Sequence, residues 1–147
     1  MVSDSRVREN SRLGEGGPVT PERLAGFAVA WQAKDLDALM ELMAEDCVFR
    51  ASIGPEPGTT FRGKAEVRRG FALMLAHDAG MEFHDDPGAV TFIAGDRGAS
   101  QWSYRGVDDQ GKPFVLQGCD LWEFDGDLIR TKDAYRRVHG VLGDDRG

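Results

Sequence analysis

One acidic residue stands out in the segment 112–124, KPFVLQGCDLWEF, because the residues around it alternate as in a β-strand with one buried face. The side chains on that face are apolar with a single exception; they are Phe114, Leu116, Gly118, Asp120, Trp122 and Phe124. A carboxylate on a buried face costs free energy unless it is paired, hydrogen-bonded or kept neutral. Burial of a carboxyl group also suits general acid–base chemistry near neutral pH. Asp120 is therefore the predicted catalytic residue, and the alternative is a structural carboxylate paired with a basic neighbour.

The histidines give weaker signals. His84 lies beside acidic residues in MEFHDD, which suits either a general base or an exposed strand end. His77, at the end of a predicted helix, is explained by the favourable charge at a helix C-terminus. Neither histidine belongs to a metal-binding motif such as HExxH. We therefore expect no metal ion and no cofactor.

Four aromatic side chains could line an apolar pocket or pack in the core. They are Trp31, Trp102, Tyr104 and Trp122. Trp31 and Trp122 lie on faces that are predicted to be buried, whereas either face of the strand with Trp102 and Tyr104 could point inward. A pocket of this kind would hold a small apolar molecule.

The composition argues against several classes of partner. The chain has 147 residues, of which 41% are hydrophobic and 29% charged, as expected for a soluble globular protein. A net charge of −7 disfavours nucleic acids and acidic membrane surfaces, because both require a basic face. Cys47 and Cys119 have neither disulfide nor metal-ligand spacing, so we expect free thiols in a cytoplasmic protein.

The hydrophobic pattern predicts a single domain over residues 18–140. Residues 1–17 are polar and aperiodic, which predicts a disordered leader and not a secretory signal. Residues 141–147 are predicted to be a loose tail. No apolar run approaches the length of a membrane span.

Apolar residues at helical spacing predict three helices. The predicted helices cover residues 21–33, the segment from Asp35 to about Glu45–Asp46, and the segment from Gly63 to about His77. Thr20 and Asp35 are the expected N-caps of the first and second helices, and Gly80 is the expected C-terminal cap of the third. Met43 continues the helical spacing of apolar residues in the second helix.

Alternating segments between turn sequences predict the β-strands. The predicted strands cover residues 47–53, 59–62, 81–84, 89–94, 98–106, 112–124 and 128–138. Short turns imply antiparallel neighbours, and helices on one side of an antiparallel sheet define an α+β fold. We expect a strongly curved sheet that wraps around the three helices as a conical barrel with an internal pocket.

Three segments carry a resemblance to a known family. They are AKDLDALMELMAEDCVFRA, FRGKAEVRRGF and GCDLWEFDGDLIRTKDAYRRV. In their order and spacing, the chain resembles the SnoaL-like, nuclear-transport-factor-2-like superfamily, which includes ketosteroid isomerases and polyketide cyclases. The resemblance covers residues 20–138 and implies a conical α+β barrel, commonly dimeric, with a pocket inside the cone.

The resemblance also assigns positions to a site. In ketosteroid isomerases a first-strand carboxylate moves the proton, while a tyrosine and a protonated aspartate hold the oxyanion. In this sequence the carboxylate position falls on Ala51 and the tyrosine position on Phe27, and only the aspartate is matched, by Asp120. The usual steroid isomerisation mechanism is therefore not expected.

The same resemblance implies that Lys132 and Arg136 of the last strand share the side of Asp120. A Lys132–Asp120 pair would be either a structural salt bridge or an anion-binding site, and the alternative is a solvated or interface strand. Limonene epoxide hydrolase is another relative, but Ala134 takes the position of its catalytic acid, so that chemistry is not favoured.

The expected function is that of an isomerase, cyclase or dehydratase that acts on an apolar, carbonyl-bearing ring compound by acid–base chemistry at Asp120. The expected substrate-binding residues are Phe27, Trp31, Phe49, Ala51, Phe71, Leu116, Gly118, Trp122 and Lys132. Two alternatives stay open, which are non-catalytic binding of an apolar metabolite and an interaction domain. The latter would form a homodimer through the outer sheet face, where Val115 and Leu121 lie.

Overall fold

The structure, a computed structural model, describes residues 17–55 and 57–143. The predicted leader, apart from Gly17, and residues 144–147 of the predicted tail lie outside the described residues. The helices are α1 (Pro21–Gln32), α2 (Leu36–Glu41) and α3 (Lys64–His77). The strands are β1 (Met43–Arg50), β2 (Thr60–Arg62), β3 (Glu82–Phe83), β4 (Thr91–Ala94), β5 (Arg97–Val107), β6 (Pro113–Asp125) and β7 (Leu128–Arg136).

Capping residues set the starts of the first two helices. Thr20 Oγ1 accepts a hydrogen bond of 3.2 Å from the backbone N–H of Arg23, and Pro21 stands in the first turn, where an N–H is not needed. Asp35 caps α2 in the same way, because its carboxylate accepts a hydrogen bond of 3.1 Å from the N–H of Ala38. The predicted starts of both helices are confirmed.

Two predicted helix ends are wrong. The second helix ends at Glu41, well before the predicted Glu45–Asp46, because the chain enters β1 at Met43. Met43 is fully buried and lies beside β7, so sheet pairing and burial override its helical spacing. The C-cap of α3 is Asp78 and not Gly80; its backbone N–H bonds back into the last turn of the helix.

The strands form one curved sheet in the order β2-β1-β7-β6-β5-β3, and β4 also pairs with β5. Neighbouring strands are antiparallel except β1 and β7, which run parallel. The mainly antiparallel α+β architecture is therefore confirmed. The sheet does not close between its edge strands β2 and β3, so the cone remains open on one side.

Aromatic side chains fix the helices against the inner face of the sheet. The ring of Phe71 on α3 lies 4.9 Å from that of Phe49 on β1 and 5.8 Å from that of Phe27 on α1, in edge-to-face geometry. Phe49 and Phe71 are almost completely buried, and such aromatic pairs stabilise a core beyond their buried area. The elements that carry the site are thus held together by one aromatic cluster.

Candidate functional site

Strands β6 and β7 bring a buried acid and a buried base together. Asp120 lies opposite Ala134 in the antiparallel register, and Lys132 is two residues away on the same face. Lys132 Nζ donates a hydrogen bond of 2.7 Å to Asp120 Oδ1, and each side chain is only 7% exposed. Lys132 therefore shares the side of Asp120, as predicted, and this part of β7 is not a solvated strand.

Aromatic rings surround the ammonium group of Lys132. Its Nζ lies 4.9 Å from the ring centroid of Trp31, 5.3 Å from Phe49, 5.8 Å from Trp122 and 6.0 Å from Phe27. The electron-rich ring faces attract a cation, and this attraction offsets part of the free energy that burial of the charge costs. The Asp120 carboxylate and the four rings together form a binding site for one positive charge.

A cavity of about 450 Å³ lies next to this pair, between α1 and the inner face of the sheet. Asp120 and Lys132 both line the cavity, so the ion pair belongs to its wall. The predicted substrate-binding residues that line it are Phe27, Trp31, Phe49, Leu116, Trp122 and Lys132. Its size falls within the range of about 300–1,000 Å³ that is typical of small-molecule sites.

Three of the predicted substrate-binding residues, Ala51, Phe71 and Gly118, do not line this cavity. Ala51 and Phe71 are buried in the hydrophobic core. Gly118 is covered by Trp102, because a Cβ atom built at position 118 would lie 2.4 Å from the end of the indole ring. Trp102 thus takes the place on the cavity wall that was predicted for Gly118.

Pairing with β6 decides which face of β5 points into the cavity. The opposed residues are Ser100 with Asp120, Trp102 with Gly118, and Tyr104 with Leu116. Opposed residues of antiparallel strands share a face, and Ser100, Trp102 and Tyr104 all line the cavity. Ser100 Oγ accepts a hydrogen bond of 2.8 Å from Trp122 Nε1, which satisfies the one polar atom of that indole.

A second ion pair lines the cavity further along β7. Arg136 Nη2 lies 2.5 Å from Asp78 Oδ2, and Arg136 Nε donates a hydrogen bond of 2.8 Å to Ser52 Oγ. The Arg136 and Asp78 side chains are 16% and 20% exposed. His77 Nδ1 lies 2.8 Å from the other carboxylate oxygen of Asp78. Asp78 therefore connects the end of α3 to the last strand.

Asp78 and Ser52 were not predicted as site residues. Each follows a regular element, where polar residues are common, and their contact with Arg136 exists only because α3, β1 and β7 meet in the fold. One signal could have found Asp78. An arginine on an inward-facing strand position needs an acidic partner, and the acids near the end of the third helix were available.

Tyr104 and His84 add two polar groups to the cavity wall. Burial, together with the nearby carboxylates of Asp120 and Asp78, raises the pKa of Tyr104 to about 12. The phenol therefore remains a neutral hydrogen-bond donor in neutral solution. His84 is half-buried at the end of β3, so the alternative of an exposed strand end is wrong. Its role as a general base stays a prediction.

Neither cysteine is poised as a thiolate. Burial raises the pKa of the Cys47 thiol to about 11, and burial is also the main cause of the raised pKa of Cys119. Both are free cysteines. Within residues 17–55 and 57–143, no group of three histidine, cysteine or acidic side chains is arranged to hold a metal ion. None of the helices described has the length and apolar character that crossing a membrane requires.

Comparison with known proteins gives one family. The SnoaL-like domain family matches residues 24–131, and no curated protein matches the chain.

Among solved structures, an NTF2-like protein of unknown function from Mesorhizobium loti is 27% identical, with a TM-score of 0.63 over 80% of this chain and 89% of that one. A candidate polyketide cyclase from Pseudomonas putida is 21% identical, with a TM-score of 0.62 over 83% of this chain and 94% of that one. A protein with a ketosteroid isomerase-like fold from Catenulispora acidiphila, in complex with trimethylamine, is 24% identical, with a TM-score of 0.61 over 80% of this chain and 86% of that one.

Substitution of Asp120 by asparagine tests the energetics of the buried pair. The change leaves the Lys132 ammonium buried without a counter-ion, so we expect the free energy of unfolding to fall by about 3 kcal/mol. The matched control is Asp37→Asn, which breaks the contact between Arg68 and Asp37. This contact has the same length of 2.7 Å, but the Arg68 side chain is 47% exposed and the Asp37 side chain 82% exposed. Exposed pairs contribute about 1 kcal/mol or less. Urea denaturation gives both values, and equal effects of the two substitutions would contradict the assignment.

The raised pKa of Tyr104 predicts a loss of stability in alkaline solution. Between pH 10 and 12 the unfolded chain has released the phenolic proton while the folded protein still holds it. The unfolded state then binds fewer protons, so the free energy of unfolding falls with rising pH, by at most about 1.4 kcal/mol per pH unit. Tyr104→Phe should remove this part of the slope in urea denaturation curves measured across this range. An unchanged slope would show that Tyr104 ionises normally.

Proposed function

We propose a function from the premise that this chain belongs to the SnoaL-like domain family. In this proposal, the cavity binds a small and largely apolar ring compound that has a carbonyl group. Asp120 moves a proton on that compound. The reaction class is that of an isomerase, cyclase or dehydratase without a cofactor. The observation that carries the proposal is that both members of the Asp120–Lys132 pair line the cavity, within reach of a bound molecule.

The two charged groups divide the chemistry between them. A carbon atom next to a carbonyl group loses a proton readily only when the negative charge that develops on the oxygen is stabilised. Lys132 can donate a hydrogen bond to that oxygen, and the Asp120 carboxylate, 2.7 Å from Lys132 Nζ, can accept the proton. General acid–base catalysis by a positioned carboxylate contributes about 10² to 10⁴ in rate.

The remaining cavity wall favours an apolar ring as ligand. The rings of Trp31, Trp102 and Trp122 all line the cavity, together with Phe27 and Phe49. Such walls recognise flat apolar molecules by burial and stacking, while a few polar groups fix their orientation. Tyr104 and Arg136 are the further donors that could orient a second oxygen atom.

The proposed chemistry differs from that of ketosteroid isomerases. Ala51 and Phe27 occupy the positions that the resemblance assigns to the base and the tyrosine, and neither can exchange a proton. Asp120 would therefore act as the base in place of a first-strand carboxylate. Tyr104, whose pKa is raised to about 12, is the available neutral phenol.

Binding without chemistry is the second candidate function. The observation in its favour is the short contact between Lys132 and Asp120 Oδ1, which engages one oxygen of the proposed base. In that case the same cavity would hold an apolar metabolite unchanged.

Proton transfer can be tested with 2-tetralone, a bicyclic apolar ketone, as the probe. We expect the protein to accelerate exchange of the hydrogens next to the carbonyl group for deuterium in D₂O, as followed by NMR spectroscopy. Asp120→Asn should reduce this rate about 100-fold, because the carboxylate that accepts the proton is absent. Asp133→Asn is the matched control, since Asp133 lies on β7 but outside the cavity lining, and it should leave exchange unchanged.

Binding is measured separately from chemistry. All three tryptophans of the chain line the cavity, so their fluorescence should change when 2-tetralone binds. Binding without exchange in the wild-type protein would favour the non-catalytic function. Failure of 2-tetralone and of similar bicyclic ketones to bind would count against the proposed pocket.

Self-association through the outer sheet face is a separate proposal. Val115, Leu121 and Tyr135 are about half exposed on that face, and burying such side chains is a source of dimer stability. Light scattering at micromolar concentration should give the mass of a dimer for the wild-type protein and of a monomer for Leu121→Glu. A wild-type monomer would reject the proposal.

A further inference from the structure

We propose that Lys132 is a covalent catalyst, which condenses with the carbonyl carbon of the substrate to form an iminium ion in the cavity. The inference rests on the proposed function, because it takes a carbonyl compound as the ligand. It adds a bond that acid–base chemistry at Asp120 does not require, and it narrows the substrates to aldehydes and unhindered ketones.

Lys132 differs from the other lysines of this chain. The sequence contains four, which are Lys34, Lys64, Lys112 and Lys132. Lys34 and Lys112 are exposed and Lys64 is partly exposed, whereas the Lys132 side chain is 7% exposed and lines the cavity. A lysine amine in an apolar pocket is the usual nucleophile for covalent catalysis on carbonyl groups. The low exposure of the Lys132 side chain limits the approach of water to this nitrogen, which slows hydrolysis of the iminium ion.

The neighbouring carboxylate supplies the proton transfers that condensation needs. Asp120 first accepts a proton from the Lys132 ammonium over the 2.7 Å contact. The free amine then attacks the carbonyl carbon, a C–N bond forms, and the oxygen takes the proton from Asp120. Asp120 next removes a proton from the nitrogen and delivers it to the hydroxyl group, which leaves as water while the C=N bond forms. The sum is one ammonium and one carbonyl group giving one iminium ion and one water, with Asp120 restored.

The aromatic environment favours the product as well as the resting state. The ammonium and the iminium ion carry the same charge at the same nitrogen atom. The rings of Trp31 and Phe49 therefore stabilise both ions by cation–π attraction. Their centroids lie 4.9 and 5.3 Å from Lys132 Nζ. Only the transient neutral amine is disfavoured, and the carboxylate next to it provides a direct path for the proton.

Reductive trapping with benzaldehyde and sodium cyanoborohydride tests the proposal. The reagent reduces an iminium ion to a stable benzylamine, and peptide mapping by mass spectrometry locates it. We expect Lys132 to be modified at least about tenfold faster than Lys34 or Lys112, because the cavity holds the aldehyde next to the amine. Asp120→Asn should slow the modification of Lys132 about tenfold or more, since the proton acceptor is lost.

Two variants serve as controls. Lys132→Arg keeps the positive charge beside Asp120 but has no amine that can form an iminium ion, so the fast adduct should disappear. Lys112→Arg changes an exposed residue of the same type, and the rate at Lys132 should stay at the wild-type value.

The outcomes separate this inference from the proposed function. Modification of Lys132 no faster than that of Lys34, with deuterium exchange of 2-tetralone intact, would overturn the covalent step and leave the acid–base function standing. Absence of binding of both probes, seen by tryptophan fluorescence, would reject the proposed function itself. Fast modification of Lys132 that is unaffected by Asp120→Asn would reject the role of the carboxylate.

Discussion

The ion pair between Asp120 and Lys132 is the interaction on which the rest of the site depends. Taking two charges out of water costs several kcal/mol for each ion, and the loss is recovered only when the partners are held in fixed geometry. That geometry requires β6 and β7 to be in register and α1 to place Phe27 and Trp31 against the ammonium group. The burial of the charged pair in the cavity therefore depends on the packing of α1 against the sheet.

A small residue separates two long charged ones on the part of the cavity wall that β7 forms. Lys132, Ala134 and Arg136 alternate along the inner face of β7, and all three line the cavity. Each long side chain is held by an acidic partner, Asp120 for the lysine and Asp78 for the arginine. Ala134 between them leaves open space. A larger side chain at that position would extend into the cavity, and the two ion pairs place charged groups among the apolar side chains of its wall.

The fold could be predicted largely from local signals, and the site only in part. Alternation along β6 identified the inner face and Asp120, and the caps Thr20 and Asp35 located two helices, because such signals act within a few residues. The end of α2 was predicted wrongly because Met43 has helical spacing in the sequence but pairs with β7 in the sheet. In the site, Asp78 and the inward orientation of Trp102 escaped prediction for the same reason. Both depend on contacts between elements that are far apart in the sequence, for which a single chain carries no local pattern.

The parallel pairing of β1 with β7 joins two strands that are far apart in the sequence. The ribosome makes β1 early and β7 last among the strands, yet β7 lies between β1 and β6 in the sheet. The first strand must therefore wait for more than half of the domain before its inner edge finds a partner, and contacts so distant in sequence slow folding. Until that moment Asp120 has no lysine beside it. The proposed site is therefore complete only when β7 has joined the sheet, and a nascent chain that stalls before Lys132 would leave the edge of β1 unpaired and Asp120 without its partner.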